Sequence, residues 1–243
     1  MVVRRRSLHL LLLFALGCGS GSSGEPSILR GAECVRDYEP VAAELWEDAI
    51  AAYERADSQR PPDPGAVVFV GSSSILFWGT LADDMSPLPV LNRGFGGSLL
   101  AHATHFADRI VMPPRPSSVV LYAGDNDISF GGLSAECVLA DFDAFVAEIR
   151  AWEPDVPVYY VSIKPSISRW GDWQEMSRAN ALIEARTTTD ASLHFIDVSE
   201  AMLGGNGEPA VSLFIEDGLH LSAEGYSLWT SIVRPVLIAD LGD

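Results

Sequence analysis

Short apolar runs alternate along this chain with longer segments in which apolar residues recur every three or four positions. The clearest run, Ala-Val-Val-Phe-Val at 66–70, contains no charge and ends at a glycine followed by three serines at 71–74. A short, largely β-branched run bounded by turn residues predicts a strand that is buried on both faces. Similar runs recur along the chain, and the predicted strands cover residues 66–70, 87–91, 117–122, 156–163 and 193–198.

Segments with helical spacing separate these runs. Ser134 and Ser222 stand where N-caps of the third-last and last helices are expected. Strands that alternate with helices predict a single α/β domain, a three-layer α/β/α sandwich around a five-stranded parallel sheet with right-handed crossovers. The expected strand order is the doubly wound, flavodoxin-like order 2-1-3-4-5. The predicted helices cover residues 40–57, 75–81, 99–110, 134–152, 175–187 and 223–241.

The N-terminus has a different composition from the rest of the chain. Three arginines at 4–6 precede an apolar run at 8–16, which is too short to span a membrane. This pattern predicts a secretory signal peptide. The Leu-Gly-Cys that ends at Cys18 resembles the lipobox of bacterial lipoproteins, and the resemblance implies that Cys18 is lipidated. The alternative is a plain signal peptide that happens to contain this cysteine.

These features divide the chain into three parts. We predict a signal peptide over 1–18, a flexible Gly/Ser-rich tether over 19–35 and one folded domain over 36–243. The protein is therefore expected to be exported, either as a cell-envelope lipoprotein or as a secreted protein. In an exported chain, Cys34 and Cys137 are a disulfide candidate, and two buried free thiols are the alternative.

The net charge restricts the partners of this protein. A formal charge of −17 disfavours binding to nucleic acid and adsorption to anionic lipid. We therefore expect contact with a membrane only through a lipid anchor, and no nucleic-acid partner.

Chemically useful residues follow the predicted strands. Ser73 follows the first strand, Gly97 the second and Asn126 the third, while Asp217 and His220 lie beyond the fifth. The carboxyl ends of parallel strands meet at one edge of the sheet, and sites in open α/β sheets lie there. The sequence therefore predicts that these five residues converge.

The four blocks that hold these residues resemble those of the SGNH/GDSL hydrolase superfamily. Their order and spacing agree with the family, although Ser72 stands where many members have Asp. The resemblance implies the three-layer fold, ester hydrolysis without a metal or cofactor, and a catalytic serine, glycine, asparagine and histidine. The blocks lie at 71–74, 92–97, 124–127 and 217–220, and the resemblance extends over about residues 64–240.

The predicted chemistry requires these residue types. The Ser73 hydroxyl needs a base, and the imidazole of His220 is the candidate. Asp217 lies three residues earlier, where a turn can bring its carboxylate to the ring. The N–H groups of Ser73 and Gly97 and the amide of Asn126 are the candidate oxyanion donors. We therefore predict a serine esterase that acts on a small-molecule or glycan ester.

Each residue also has a structural interpretation. Ser73 and Asp217 are suitable helix caps, Asn126 and Gly97 are suitable turn formers, and His220 is a candidate buried histidine. If these interpretations held, the chain would be a non-catalytic glycan-binding surface protein with the same fold. Within the enzyme interpretation, lysophospholipid or thioester substrates remain alternatives to short acyl esters and acetylated carbohydrate.

Two histidines in one predicted helix have the spacing of a metal site. His102 and His105 lie at positions i and i+3, yet no third ligand is evident in the sequence. We therefore interpret them as ordinary helix residues and expect no metal.

Overall fold

The computed structural model describes Cys34 and residues 40–242. The predicted signal peptide, Cys18 and the predicted tether, apart from Cys34, lie outside the described residues. Five parallel strands form one sheet in the order β2-β1-β3-β4-β5, so the predicted fold class and strand order are confirmed. The strands are β1 (Val67–Gly71), β2 (Val90–Gly94), β3 (Ser118–Tyr122), β4 (Val158–Val161) and β5 (Leu193–Ile196).

Nine α-helices lie in the described part of the chain, together with short 3-10 helices at Pro40–Trp46, Trp170–Asp172, Glu200–Met202 and Val211–Leu213. The α-helices are α1 (Glu47–Gln59), α2 (Ser73–Leu76), α3 (Leu81–Asp84), α4 (Leu100–His105), α5 (Ala107–Ile110), α6 (Asp125–Ser129), α7 (Ala135–Trp152), α8 (Trp173–Thr187) and α9 (Ala223–Leu241). The predicted helix over 99–110 is thus two short helices separated by Phe106. No described helix is both long enough and apolar enough to cross a bilayer.

The strands alternate their side chains between two apolar cores. Val68 and Val70 of β1 face a core formed with α1, α4, α5, α7 and α8. Val67 and Phe69 face a second core, formed with α2, α3 and α9. Both faces of the sheet are therefore covered, which explains why β1 is apolar at successive positions.

The second strand lies three residues further along the chain than the sequence predicts, at Val90–Gly94 instead of 87–91, and its last residues include polar ones. Asn92 and Arg93 lie within β2. The buried Arg93 guanidinium donates to both carboxylate oxygens of Asp57 at 2.6 Å. The Asn92 amide donates to the Ile75 carbonyl and accepts from the Gly94 N–H. These contacts satisfy polar groups that a buried strand would otherwise exclude.

A disulfide joins the segment before the first helices to the body of the domain. It links Cys34 to Cys137 in the first turn of α7, with Cα atoms 5.2 Å apart. Ser134 caps this helix as the sequence predicts, since its hydroxyl accepts from the Cys137 N–H.

Candidate active site

Ser73 is the first residue of α2, directly after the end of β1. The turn between the two elements depends on Gly71, whose φ is +144° and where a Cβ would overlap the Tyr122 carbonyl oxygen. The tight turn leaves Ser73 half-buried at the carboxyl edge of the sheet. As the first helical residue, it has an N–H that no helical carbonyl can reach.

His220 lies between Ser73 and Asp217. Its Nε2 is 2.9 Å from the Ser73 Oγ, and its Nδ1 is 2.6 Å from the Asp217 Oδ2. The other carboxylate oxygen of Asp217 accepts the N–H groups of Leu219 and His220, at 2.8 and 2.9 Å. This turn fixes the carboxylate against the ring of a residue three positions later. The arrangement has the geometry of a nucleophile, a base and a group that orients the base.

The hydrogen bonds to Asp217 keep it ionised. Partial burial raises the pKa of Asp217, but the hydrogen bonds from the His220 ring and from the His220 and Leu219 N–H groups outweigh this effect and lower it to about 2. A carboxylate that stays charged can hold the Nδ1 proton of the ring, which leaves Nε2 as the acceptor that faces Ser73.

The structure does not support a capping role for Asp217. Ser222 is the N-cap of α9, because its hydroxyl accepts from the Gly225 N–H at 3.2 Å. His220 is also not buried, since 23% of its side chain is exposed.

The other two predicted residues, Gly97 and Asn126, lie at the ends of neighbouring strands. Gly97 has a φ of +76°, which favours glycine, and an added Cβ there would meet nothing within 4 Å. Asn126 is in the first turn of α6 after β3 and is only 4% exposed. Its Nδ2 donates to the Ser98 carbonyl at 2.9 Å, which joins the segment after β3 to the segment after β2. The second Nδ2 hydrogen remains for another acceptor.

A buried charged cluster lies next to Asn126. The Arg169 guanidinium donates to the Asn126 Oδ1 at 2.8 Å and pairs with Asp125 at 3.2 Å. The Lys164 ammonium is within 3.1 Å of the same Asp125 oxygen and also donates to Tyr122 and to the Ser74 hydroxyl. The cluster therefore connects Asn126 to the residue that follows Ser73.

One carboxylate in this cluster is shared by two cations. Asp125, Lys164 and Arg169 are each less than a tenth exposed. Burial raises the pKa of Asp125, but the positive charges of Lys164 and Arg169 outweigh it and hold it below its ordinary value. Removing Asp125 would leave both buried cations without their carboxylate, which is costly.

Sequence analysis missed Lys164, Arg169 and Trp46. Lys164 had a usable signal, because it comes shortly after the fourth strand at the same sheet edge as the other site residues. Arg169 lies further along the loop that follows β4. Trp46 precedes the first predicted strand and donates its indole N–H to the Gly96 carbonyl at 2.8 Å. No local pattern distinguishes Arg169 or Trp46 from other surface-loop or helix residues.

The GDSL-like lipase/acylhydrolase family matches residues 65–228, about two thirds of the chain. This chain belongs to that family. The match includes Ser73, Gly97, Asn126, Asp217 and His220. The predicted superfamily is therefore confirmed, and the chain is a hydrolase of ester bonds. No curated protein matches the sequence.

Solved structures share the fold of this GDSL-family chain. A protein from Bacteroides fragilis assigned as an acylhydrolase is 21% identical, with 85% of this chain and 100% of that chain covered and a TM-score of 0.69. A GDSL-like lipase from Bacteroides thetaiotaomicron is 20% identical, with 84% and 100% covered and a TM-score of 0.67. A family 3 carbohydrate esterase from Talaromyces cellulolyticus is 19% identical, with 74% and 99% covered and a TM-score of 0.59. At these identities the likeness shows the fold alone.

The histidines outside the candidate site of this GDSL-family domain have structural contacts. His102 is buried in α4, and its Nδ1 accepts from the Leu99 N–H at 3.0 Å. Burial, and to a smaller extent His105, lowers the pKa of His102 to about 4, so the ring is neutral and able to accept this bond. Among the residues that the structure describes, no cluster of three metal-ligating side chains occurs.

Proposed function

We propose that this GDSL-family protein is a serine esterase that cleaves carboxylic esters through an acyl-enzyme. Ser73 is the nucleophile, His220 the base and Asp217 the group that orients the base. The observation that best supports the assignment is the contact of the two His220 nitrogens, one at 2.9 Å from the Ser73 hydroxyl and the other at 2.6 Å from the Asp217 carboxylate.

The proposed reaction has two matched halves. As the Ser73 Oγ attacks the ester carbonyl carbon, its proton passes to the His220 Nε2. The carbon–oxygen bond to the alcohol then breaks, and His220 returns the proton to the departing oxygen. A water molecule repeats the sequence on the acyl-enzyme, releases the acid and restores Ser73.

The tetrahedral intermediate of each half carries a negative oxygen. We assign its stabilisation to the Ser73 N–H, the Gly97 N–H and the Asn126 Nδ2. These donors belong to segments held rigidly at the sheet edge, so little reorganisation is needed when the charge forms.

The surroundings of Ser73 support a small acyl group as the substrate portion. Two cavities of the described structure, of about 270 and 300 Å³, are lined by residues other than Ser73, Asp217 and His220. The triad itself is partly exposed, with 23% of the His220 side chain and 43% of the Asp217 side chain accessible, and such a site suits an acetyl or other short acyl group carried on a larger alcohol. Neighbours that are carbohydrate esterases support a carbohydrate as that alcohol, so that the substrate would be an acetylated carbohydrate.

A longer acyl chain is the second candidate, and one observation favours it. Exposed apolar side chains surround the triad: Phe77 has its ring 5.0 Å from the His220 ring, Ile167 lies against Gly218 and Leu76 lies against Gly96. Such residues offer an apolar surface to a lysophospholipid or thioester chain.

Covalent labelling tests the catalytic assignment. A fluorophosphonate reacts only with an activated serine, so we expect it to label the wild-type protein and not Ser73→Ala. Ser73→Ala should also lose turnover of a short acyl ester while it retains the fold. Labelling or turnover that survives this substitution would end the proposal, as would a wild-type protein that takes no label.

Ser72→Ala is the matched control. Ser72 is the preceding serine, it is 1% exposed and its hydroxyl has no partner among the described residues. We expect this variant to be labelled normally. Turnover of acetyl, butyryl and octanoyl esters, together with acetyl release from acetylated xylo-oligosaccharide, then separates the two substrate candidates.

A further inference from the structure

Trp46, which precedes the family-matched residues, contacts the segment after β2 that holds the proposed oxyanion donor Gly97. Trp46 ends the first 3-10 helix and is half-buried. Its indole N–H donates to the Gly96 carbonyl oxygen at 2.8 Å. The ring is held by His102 and Phe95, whose centroids lie 4.2 and 6.2 Å away. The direction of the indole N–H is therefore fixed by packing.

The Gly96 carbonyl and the Gly97 N–H belong to the same peptide unit. A trans peptide is planar, and its C=O and N–H point in opposite directions. A hydrogen bond that holds the carbonyl of Gly96 therefore also sets the direction in which the N–H of Gly97 points. This N–H is one of the proposed oxyanion donors.

This peptide unit needs such a restraint more than most. A glycine lies on each side of it, and glycine rotates about its backbone bonds with little steric resistance. Gly97 already has a φ of +76° with open space around its Cα. Without the bond from Trp46, rotation of the unit would turn the Gly97 N–H away from the site at low cost. Donation to the carbonyl also polarises the amide, which strengthens the N–H as a donor.

We propose that Trp46 is a positioning residue that orients the Gly97 N–H toward the oxyanion of the proposed reaction. The inference rests on the proposed function, because it assumes that an oxyanion forms beside Gly97. It assigns a role in the reaction to a residue outside the matched range of 65–228. The proposed role of Trp46 requires no contact with Ser73 or His220, because it acts only through the backbone.

A neighbouring bond supplies the matched control. Tyr53, in α1, donates its hydroxyl to the Gly94 carbonyl at 2.6 Å, two residues before Gly96. The peptide unit that this bond holds has its N–H on Phe95, which donates to the Gly71 carbonyl at 2.9 Å inside the sheet. Removing the Tyr53 hydroxyl therefore breaks a similar bond to the same segment without affecting an oxyanion donor.

The experiment compares Trp46→Phe with Tyr53→Phe. The readouts are kcat and KM for a short acyl ester, the Kd for an alkyl boronic acid and the melting temperature. The boronic acid forms a tetrahedral adduct on the active serine and so reports binding of the oxyanion.

We expect Trp46→Phe to lower kcat about 10- to 100-fold, somewhat less than the loss of a whole donor. KM should change less than about threefold, and the boronate Kd should rise by the same factor as kcat falls. Tyr53→Phe should lower the melting temperature and leave kcat and the boronate Kd unchanged.

Three results would overturn the inference: a wild-type kcat in Trp46→Phe, equal losses of kcat in the two variants, or a loss of kcat with no loss of boronate affinity. If Trp46→Phe is too unstable to assay, benzothienylalanine at position 46 preserves the ring size and removes only the N–H, and the same outcomes apply. Failure of the proposed function is recognised separately, because wild-type protein would then take up neither fluorophosphonate nor boronic acid.

Discussion

The two sides of the candidate site are built in different ways. On the nucleophile side, formed by Ser73, His220 and Asp217, the base and its orienting group are three residues apart in one exposed turn. On the oxyanion side, formed by Gly97 and Asn126, the supporting contacts come from Arg169 and Trp46, 43 and 50 residues away from the groups that they hold. The base and its orienting group are thus specified locally, although Ser73 is 147 residues from His220, while the support of the oxyanion side depends on how the whole domain packs.

The largest effect is expected on the nucleophile side, from Asp217→Asn. An amide in place of the carboxylate favours the wrong tautomer of His220, and kcat should fall about 10⁴-fold. Steady-state kinetics on a short acyl ester measures this loss. Glu216→Gln makes the same charge change at an adjacent exposed position and should leave kcat near the wild-type value. Near-normal turnover by Asp217→Asn would remove this residue from the mechanism.

On the oxyanion side, Asn126→Ala should have the next largest effect. It deletes one of three donors, so kcat should fall about 10²- to 10³-fold while KM changes little. Kinetics and circular dichroism together show whether the loss is catalytic, and Asn206→Ala in an exposed loop controls for the substitution type. A change confined to KM would indicate that Asn126 binds the substrate rather than the transition state.

The functional residues of both sides could be predicted from the sequence, whereas the residues that support the oxyanion side could not. Asp217 and His220 are close in sequence, and Ser73, Gly97 and Asn126 each follow a strand that an apolar run predicts. The order and spacing of these blocks, which resemble the SGNH/GDSL superfamily, connected the five residues.

The apolar runs also predicted the parallel sheet. The apolar runs misplaced β2, because a charged residue such as Arg93 is typical of a loop in sequence. Its burial in a strand depends on the ion pair with Asp57 of α1, which forms only in the folded domain. The roles of Arg169 and Trp46 could not be predicted for the same reason. Their contacts with Asn126 and Gly96 form only when distant segments pack together.

The loss of activity in acid should report the base of the nucleophile side. We expect kcat/KM to fall about tenfold per pH unit in acid, because the protonated imidazole of His220 cannot accept the Ser73 proton. Asp217, with a pKa of about 2, stays ionised over this range and adds no second proton. Its contact with His220 favours the folded state above the ordinary Asp pKa, and this contribution is lost only as the pH falls toward 2. A profile that is flat from about pH 5 to about pH 8 would contradict this assignment.

A smaller effect is expected from Arg169→Lys. This variant tests whether the oxyanion side depends on a hydrogen bond from a residue that is distant in sequence. Lysine keeps the positive charge beside Asp125 but lacks the planar guanidinium, whose several N–H groups can bind Asp125 and the Asn126 Oδ1 together. We therefore expect kcat to fall about tenfold. In an Asn126→Ala background the same change should cost almost nothing, because the group that Arg169 orients is gone. Equal losses in both backgrounds would show that Arg169 acts independently of Asn126.

The smallest effect on rate is expected from removal of the disulfide, although this bond closes a loop of more than 100 residues. Cys34 and Cys137 are 103 residues apart in sequence, and neither contacts Ser73, Asn126 or His220 in the described structure. In the chain-entropy model, a loop of this size contributes about 4 to 5 kcal/mol to the free energy of unfolding. The double variant Cys34→Ser/Cys137→Ser should therefore unfold at much lower denaturant concentration, with kcat within about twofold of wild type at temperatures where it is folded.

A large loss of kcat in the folded double variant would mean that the covalent link, and not only the Trp46 hydrogen bond, sets the position of the oxyanion segment. If kcat is preserved, the segment before β1 has two separable roles, since one contact then governs stability and another governs rate.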